Sequence, residues 1–238
     1  MIPKIFHQTT KTGQIEPKWA PLTERLLALH PNWEYRLWGD EENEILIRDR
    51  FPDFSDVYRN LPRPIMRADL ARYAYMSEFG GVYLDTDYEF LRPFDLLEKE
   101  VVLPRSSPSD GPLILGNCVF GSRPGHPFWI ALLEEIAKSD LTLNTQVTEE
   151  DVIRLTGPGL VSRVYMERFL DDSSLFVPPK SAFHPPIPMG SREYQNLLVE
   201  KAAYGIHFCY GSWRALSFRE RLASRLKSWK FPWMSKKK

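Results

Sequence analysis

Apolar and polar positions along the chain recur with two different periods, and each change of period marks an element. Ile2 to Gln8 is a short apolar run that reads as a first, buried strand, and Pro17 to Leu29 has helical spacing with Pro17 near its first turn. Trp33 to Trp38 alternates as a strand does. Gly39 closes it, and Asp40 is placed to cap a helix through Arg50. The stretch from Arg67 to Asp87, RADLARYAYMSEFGGVYLDTD, then switches period within itself. Its first half is helical and carries Asp69 and Arg72 three positions apart, on one face. Gly80-Gly81 stops the helix, because glycine accepts the left-handed backbone that a helix exit often needs, and Val82 to Leu84 begins a strand that ends on acid. If the extended geometry continues, Tyr83, Asp85 and Asp87 share one side while Val82 and Leu84 face a core.

Glu100 to Leu103 and Leu113 to Phe120 read as further strands, and His126 to Lys138 as an amphipathic helix introduced by Pro124-Gly125. Leu160 to Leu170 is a helix behind a TGPG turn, Val177 to Pro188 is a loop with five prolines, and Gly205 to Tyr210 is a final strand. The β-α-β-α opening predicts an α/β fold, with a mostly parallel central sheet flanked by helices in a single domain. Ligands of such sheets collect at the carboxyl ends of the strands, where Asp85 and Asp87 fall.

Composition changes this picture in two places. Hydrophobic residues at 43% of 238 can build one substantial core, and the length is marginal for a second domain. The two cysteines, Cys118 and Cys209, lie in apolar runs and read as buried free thiols, which fits a reducing, cytoplasmic compartment. The N-terminus enters a strand pattern directly, without a signal-peptide pattern, and no apolar run reaches the roughly 18 residues of a membrane span. Formal net charge is zero, but residues 214–238 hold nine Lys/Arg against Glu220 alone, a net +8. The chain therefore divides into a body, 1–213, and a basic tail, 214–238. In the tail, Leu216, Phe218, Leu222, Leu226, Trp229, Phe231 and Trp233 are interleaved with the cations, as in an amphipathic segment lying on an anionic membrane surface at the inner face. The competing reading is a helix packed on the body with a solvated basic rim. No nucleic-acid-binding module is recognisable, so no nucleic-acid partner is expected.

The chemistry concentrates at the acidic strand end. Two carboxylates two residues apart, beside a helix bearing Asp and Arg, suit a hard divalent cation and a phosphorylated ligand. The bland readings are an acidic turn that caps the next element and a surface ion pair at i,i+3. The chain has no GxSxG, HExxH, P-loop or CxxC.

The longer pattern RADxxRYxxxxxxGGxYxDxD resembles glycosyltransferase family 32 and, more distantly, the glucosylating clostridial toxins. So do IPKIFHQT at the start, NxxFGSRPGHPF from Asn117 to Phe128, TGPG from Thr156 to Gly159, and HFxxGSW from His207 to Trp213. The resemblance implies a GT-A fold and a metal-dependent, retaining transfer of a hexose. The donor would be a UDP- or GDP-sugar, the acceptor a glycan or lipid-linked saccharide, and the ion Mn²⁺ or Mg²⁺. It implies that Asp87 ligates the ion and that Asp85 contacts the donor and the ion's water shell. Asp69 would then meet sugar hydroxyls, and Arg72 sugar hydroxyls or phosphate, which makes Asp85, Asp87 and Arg72 the catalytic set. His207 becomes a third metal ligand or a diphosphate contact, and Ser212 and Trp213 close over the diphosphate. Asn117 either enters the sugar pocket or makes a strand-end hydrogen bond; Tyr83 either stacks near the nucleotide or is an ordinary buried tyrosine. His7 and Gln8 are placed for nucleobase contacts made largely through backbone, and His126 supports the following helix. Two other functions use the same acids: a metal-dependent phosphohydrolase of nucleotide diphosphates, and a non-catalytic binder of glycan or nucleotide.

Overall fold

The computed structural model describes residues 1–139, 147–200 and 202–210. The first elements are β1 (Ile5–Thr9), α1 (Ala20–Leu29), β2 (Glu34–Trp38), α2 (Asp40–Arg50), α3 (Ser55–Asn60) and α4 (Pro64–Glu78). Then come β3 (Gly81–Leu84), β4 (Tyr88–Phe90), β5 (Val101–Val102), β6 (Val119–Ser122), α5 (Pro127–Lys138), α6 (Glu149–Leu155) and α7 (Pro158–Arg168). The described chain ends with β7 (Leu175–Phe176), α8 (Lys180–Phe183), α9 (Ser191–Glu200) and β8 (Gly205–His207).

Among the described residues six strands form one sheet in the order β2-β1-β3-β6-β5-β7, with helices on both faces. The β1/β2, β1/β3 and β5/β7 pairs are parallel, and β6 runs antiparallel to both β3 and β5. The α/β expectation of a mostly parallel sheet in one domain is met. Alternation along β3 divides the core: Val82 and Leu84 pack with Phe6, Leu26, Phe90 and Val119, while Tyr83 joins Phe120, Trp129 and the buried side of α4 on the other face. Because helices cover both faces, the side that carries Tyr83 is interior too, and α4 is buried over most of its circumference.

A second, two-stranded ribbon pairs β4 with β8, antiparallel, in the register Tyr88↔His207, Glu89↔Ile206 and Phe90↔Gly205. Glu89 is buried in it, accepting from the Tyr194 hydroxyl of α9 and facing Arg25 of α1 at 3.5 Å. That network ties the late part of the chain to its first helix.

The structure corrects several expectations. Gly39 rather than Asp40 occupies the N-cap of α2, its N–H donating to Glu42 at 3.0 Å, and Asp40 begins the helix. The run from Leu113 is not a continuous strand: Leu115 makes a single antiparallel bridge with Arg105, and the strand proper is Val119–Ser122. Before it the backbone turns around Arg105, whose guanidinium donates to the carbonyls of Ser107, Pro108 and Gly111, so those acceptors are satisfied without a neighbouring strand. Cys118 is buried as expected, but Cys209 is exposed and stands at φ +53. The helices α3, α6 and α9 lie where no element was read, although α6 opens on a capping box formed by Thr148 and Asp151, and the short helix α8 interrupts the stretch from Val177 to Pro188 that was read as loop throughout. The basic tail, 214–238, lies outside the described residues.

Gly80 and Gly81 have φ +63 and +89. A Cβ on Gly81 would also sit 2.5 Å from the Ile5 carbonyl oxygen and 2.4 Å from Ile5 Cγ2, so the helix exit and the β1/β3 pairing both require glycine here. Gly81→Ala is expected to lower unfolding stability by about 2–4 kcal/mol, from left-handed backbone strain plus overpacking. A urea midpoint equal to that of the parent chain would contradict this.

Candidate active site

The site grows from α4. Its interior places Asp69, Arg72 and Tyr73 within one turn, and burial on all sides leaves their polar groups to find protein partners. The Asp69 carboxylate is 2% exposed. Its Oδ1 accepts from the Asn117 side-chain amide at 3.0 Å, and its Oδ2 from the Thr156 hydroxyl at 2.8 Å. Arg72, equally buried, puts Nη2 at 3.4 Å from Asp69 and Nη1 at 3.1 Å from Asp85, donates to the Asn117 carbonyl at 2.7 Å, and lies over the Tyr83 ring. Burial pushes the Asp69 carboxyl up to about 7, against the opposing pull of Arg72, Thr156 and Asn117.

At the end of β3 the chain does not stay extended. Residues 86 and 87 form a turn into β4, and it is this turn that converges Asp85 and Asp87. The Tyr83 hydroxyl donates to Asp85 at 2.7 Å, so Tyr83, itself buried, supports Asp85 from beneath and offers no open face for stacking. Gln8 holds the same point from β1 by donating its side-chain amide to the Asp85 carbonyl at 3.2 Å. His7 and Gln8 are both buried: His7 is held by the Trp38 indole and the Gly80 carbonyl, and burial brings its pKa down to about 3. Both side chains are thus spent on partners within the protein.

The β4/β8 ribbon brings His207 opposite Tyr88 and next to Asp87. Nε2 of His207 is 3.2 Å from Asp87 and 3.8 Å from Asp85, and its Nδ1 faces the Cys209 thiol at 3.2 Å. The Phe208 N–H donates to the Asp87 carbonyl, and the Tyr210 N–H to its carboxylate at 2.9 Å. Burial raises the pKa of Asp85, partly offset by Arg72. Burial also works upward on Asp87, but His207 and the Tyr210 N–H outweigh it and keep that carboxyl below its usual range. On His207 burial opposes charge, yet contacts with Cys118, Asp87 and Cys209 hold its pKa well above normal.

Asp85, Asp87 and His207 each offer a ligand atom within 4.8 Å of the others, with side chains 27%, 13% and 19% exposed. Two carboxylates and one imidazole, clustered and still reachable from solvent, fit a small hard dication such as Mn²⁺ or Mg²⁺.

The structure thus brings Asp69, Arg72, Tyr83, Asp85, Asp87, Asn117 and His207 into one cluster. Ser212 and Trp213 lie outside the described residues. His126 caps α5, its Nδ1 accepting from the Phe128 N–H, and stands apart from the cluster. Two neighbours were missed from sequence. Thr156 was seen only as part of a turn motif. His184, in the proline-rich loop, donates Nδ1–H to the Arg105 carbonyl and accepts from the Cys118 thiol, each at 3.2 Å; burial lowers its pKa to about 4.

Comparison with known proteins agrees with this geometry. Residues 16–103 match the family model described as a glycosyltransferase sugar-binding region containing a DXD motif. A mannosyl phosphorylinositol ceramide synthase of Saccharomyces cerevisiae is 34% identical over 168 residues, covering 70% of this chain and 43% of that protein. Inositol phosphoceramide mannosyltransferase 3 of Schizosaccharomyces pombe is 36% identical over 165 residues, covering 69% of this chain and 45% of that protein. The chain thus spans under half the length of these curated relatives. Among solved structures, the PaToxG glycosyltransferase superposes with a TM-score of 0.54 at 15% identity, covering 73% of each chain, which shows the GT-A fold.

Asp69 sets a test of stability against pH. Its folded pKa, raised from 3.8 to about 7, contributes stability that is complete below the unfolded value and disappears as pH rises through 7. Asp69→Asn removes this term, so urea unfolding is expected to show the variant gaining on the parent chain between pH 4 and pH 7. A stability difference that stays flat across that range would refute the assignment.

Proposed function

We propose that this chain, which carries the DXD glycosyltransferase sugar-binding region over residues 16–103, is a metal-dependent retaining glycosyltransferase that moves a mannosyl residue from a nucleotide sugar to a lipid-linked acceptor hydroxyl. The observation that carries the reading is the convergence of Asp85, Asp87 and His207 beside the buried Asp69–Arg72 pair, at the carboxyl end of β3. Mannose, and an acceptor of the inositol phosphoceramide kind, are inferred from the names of the relatives. The phosphohydrolase and non-catalytic readings use the same acids, but the relatives are named as transferases.

In this reading Asp85, Asp87 and His207 hold Mn²⁺ or Mg²⁺, which when bound neutralises the diphosphate leaving group. The residues of the chain do the rest. Arg72 fixes the orientation of Asp69 and Asp85 and supplies positive charge beside the phosphates. Asp69 and Asn117 orient sugar hydroxyls, using the acceptor and amide capacity that their mutual bond leaves over. Ser212 and Trp213 follow His207 closely enough in sequence to cover the diphosphate and exclude water. By resemblance to the retaining family, the acceptor hydroxyl would attack on the face from which the diphosphate departs, the bond to the sugar forming as the bond to the phosphate oxygen breaks, with that oxygen taking the acceptor's proton.

The basic tail supplies the membrane part of the proposal: nine cations in 214–238 hold the enzyme at an anionic inner-face surface where a lipid acceptor is presented. Among the described residues no helix is long and apolar enough to cross a membrane.

Screening GDP- and UDP-sugars with Mn²⁺ or Mg²⁺, with nucleotide release as the readout, should give turnover that depends on acceptor and is greatest with a mannosyl donor. Asp87→Asn should lower transfer at least about a hundredfold with an unchanged circular-dichroism spectrum; transfer at the parent rate would remove the metal assignment. Replacing the nine Lys/Arg of 214–238 by Gln should abolish sedimentation with anionic phosphatidylserine vesicles and leave transfer to a water-soluble acceptor intact. Undiminished sedimentation would assign membrane binding elsewhere.

A further inference from the structure

Asp69 is the most deeply buried acid of the site, and its Oδ2 is served by a group 87 positions away in sequence. We infer that Thr156 is a positioning residue of the donor site, whose hydroxyl, carried in by the turn between α6 and α7, fixes the Asp69 carboxylate and through it Arg72 and Asn117. The inference rests on the transferase reading above.

Three observations support it. First, a hydroxyl has one proton to give. Thr156 Oγ1 lies 2.8 Å from Asp69 and 3.3 Å from the Val152 carbonyl, so the shorter, charge-assisted bond takes the proton. Second, the residue is docked at two points on one face of α4. Its carbonyl accepts from the Tyr73 hydroxyl at 2.6 Å while its own hydroxyl reaches Asp69, and positions 69 and 73 are one helical turn apart. Third, the turn is built to bring it in. A Cβ at Gly159 would sit 2.7 Å from the Ile153 carbonyl oxygen, and one at Gly157 would sit 3.1 Å from the Ile153 Cα, so α6 and α7 meet with no side chain between them. Thr156 is fully buried as a result.

The consequence is a division of labour around one carboxylate. Thr156 holds Oδ2, Asn117 holds Oδ1, and Arg72 sits against Oδ1 on its way to Asp85. Without the hydroxyl Asp69 loses the Thr156 bond to Oδ2 and is free to rotate toward Arg72, drawing it from Asp85. The charged groups facing Asp69 are Arg72 on its own helix and Asp85 at the end of β3, with the Tyr73 hydroxyl nearby. A lost donor to the charged form moves the acidic limb of donor binding to higher pH.

The test uses the full chain with the sugar nucleotide that the parent turns over best, measuring donor KM, kcat and melting temperature from pH 5 to pH 9. Thr156→Val, which keeps the shape and removes the hydroxyl, should raise donor KM about tenfold or more, the factor expected for one charge-assisted hydrogen bond, and should shift the acidic limb upward. Thr156→Ser should restore both. With Asp69→Asn already present, Thr156→Val should add little, because its effect runs through that carboxylate. If Thr156→Val does not fold, Thr156→Ala against Thr156→Ser makes the same comparison. A lowered melting temperature with unchanged KM and pH profile, or effects of the two substitutions that multiply, would overturn the inference and leave the transferase reading standing. A parent chain that turns over no sugar nucleotide would overturn both.

Discussion

A guanidinium locked away from water between two carboxylates sets the terms for the rest of this structure. Arg72 cannot give up its proton, so burying it commits the fold to supplying negative charge and acceptors on every side. Asp69 comes from the same helix, Asp85 from the end of β3, and a carbonyl from the residue before Cys118. Those groups belong to three segments, and the charge they share fixes the helix, the strand end and the approach to β6 relative to one another. Such an arrangement is a poor way to gain stability, since a hydrophobic replacement of similar volume would often do as well. Its presence at the carboxyl end of a parallel strand points instead to function.

Around that pair the structure separates two acids that are nearly adjacent in sequence. Asp87 is embraced by His207 and by the backbone N–H of Tyr210, which keep it readily ionised, while Asp85 is more reluctant to carry charge. His207, with its raised pKa, lies between them where a cation would be welcome. The ribbon of β4 and β8 is what makes the trio possible, and its buried Glu89, tied to α9 and α1, anchors the ribbon.

The loops past β5 give the site its other wall. Arg105 gathers the carbonyls of its own loop, and His184 bridges that loop to Cys118, one residue from Asn117. The proline-rich segment is therefore joined to the site by a hydrogen-bonded histidine that has little tendency to charge. Thr156 enters from a third direction, by way of a glycine-tight helix junction.

Local chemistry was legible in the chain alone. The glycine pair at 80 and 81, the apolar run of β1, the alternation of β2, the start of β3 and the helices α1, α2, α4, α5 and α7 follow from periods and spacings that short-range sterics impose, as do the shared helix face of Asp69 and Arg72 and the strand-end place of Asp85 and Asp87. Their roles in a site came from the resemblance to glycosyltransferase family 32. Tertiary structure alone decided the rest. It ended the run of β3 at Leu84 and replaced strand parity by a turn, it buried His7, Gln8 and Tyr83 as supports, and it turned Leu113 to Cys118 into loop. Above all it carried Thr156 and His207 across 87 and 120 positions to their carboxylates. The physical reason is that a buried charge recruits whatever donor the packing brings near: the resemblance had named His207, but the linear pattern holds no record that the Thr156 hydroxyl would be the one to reach Asp69.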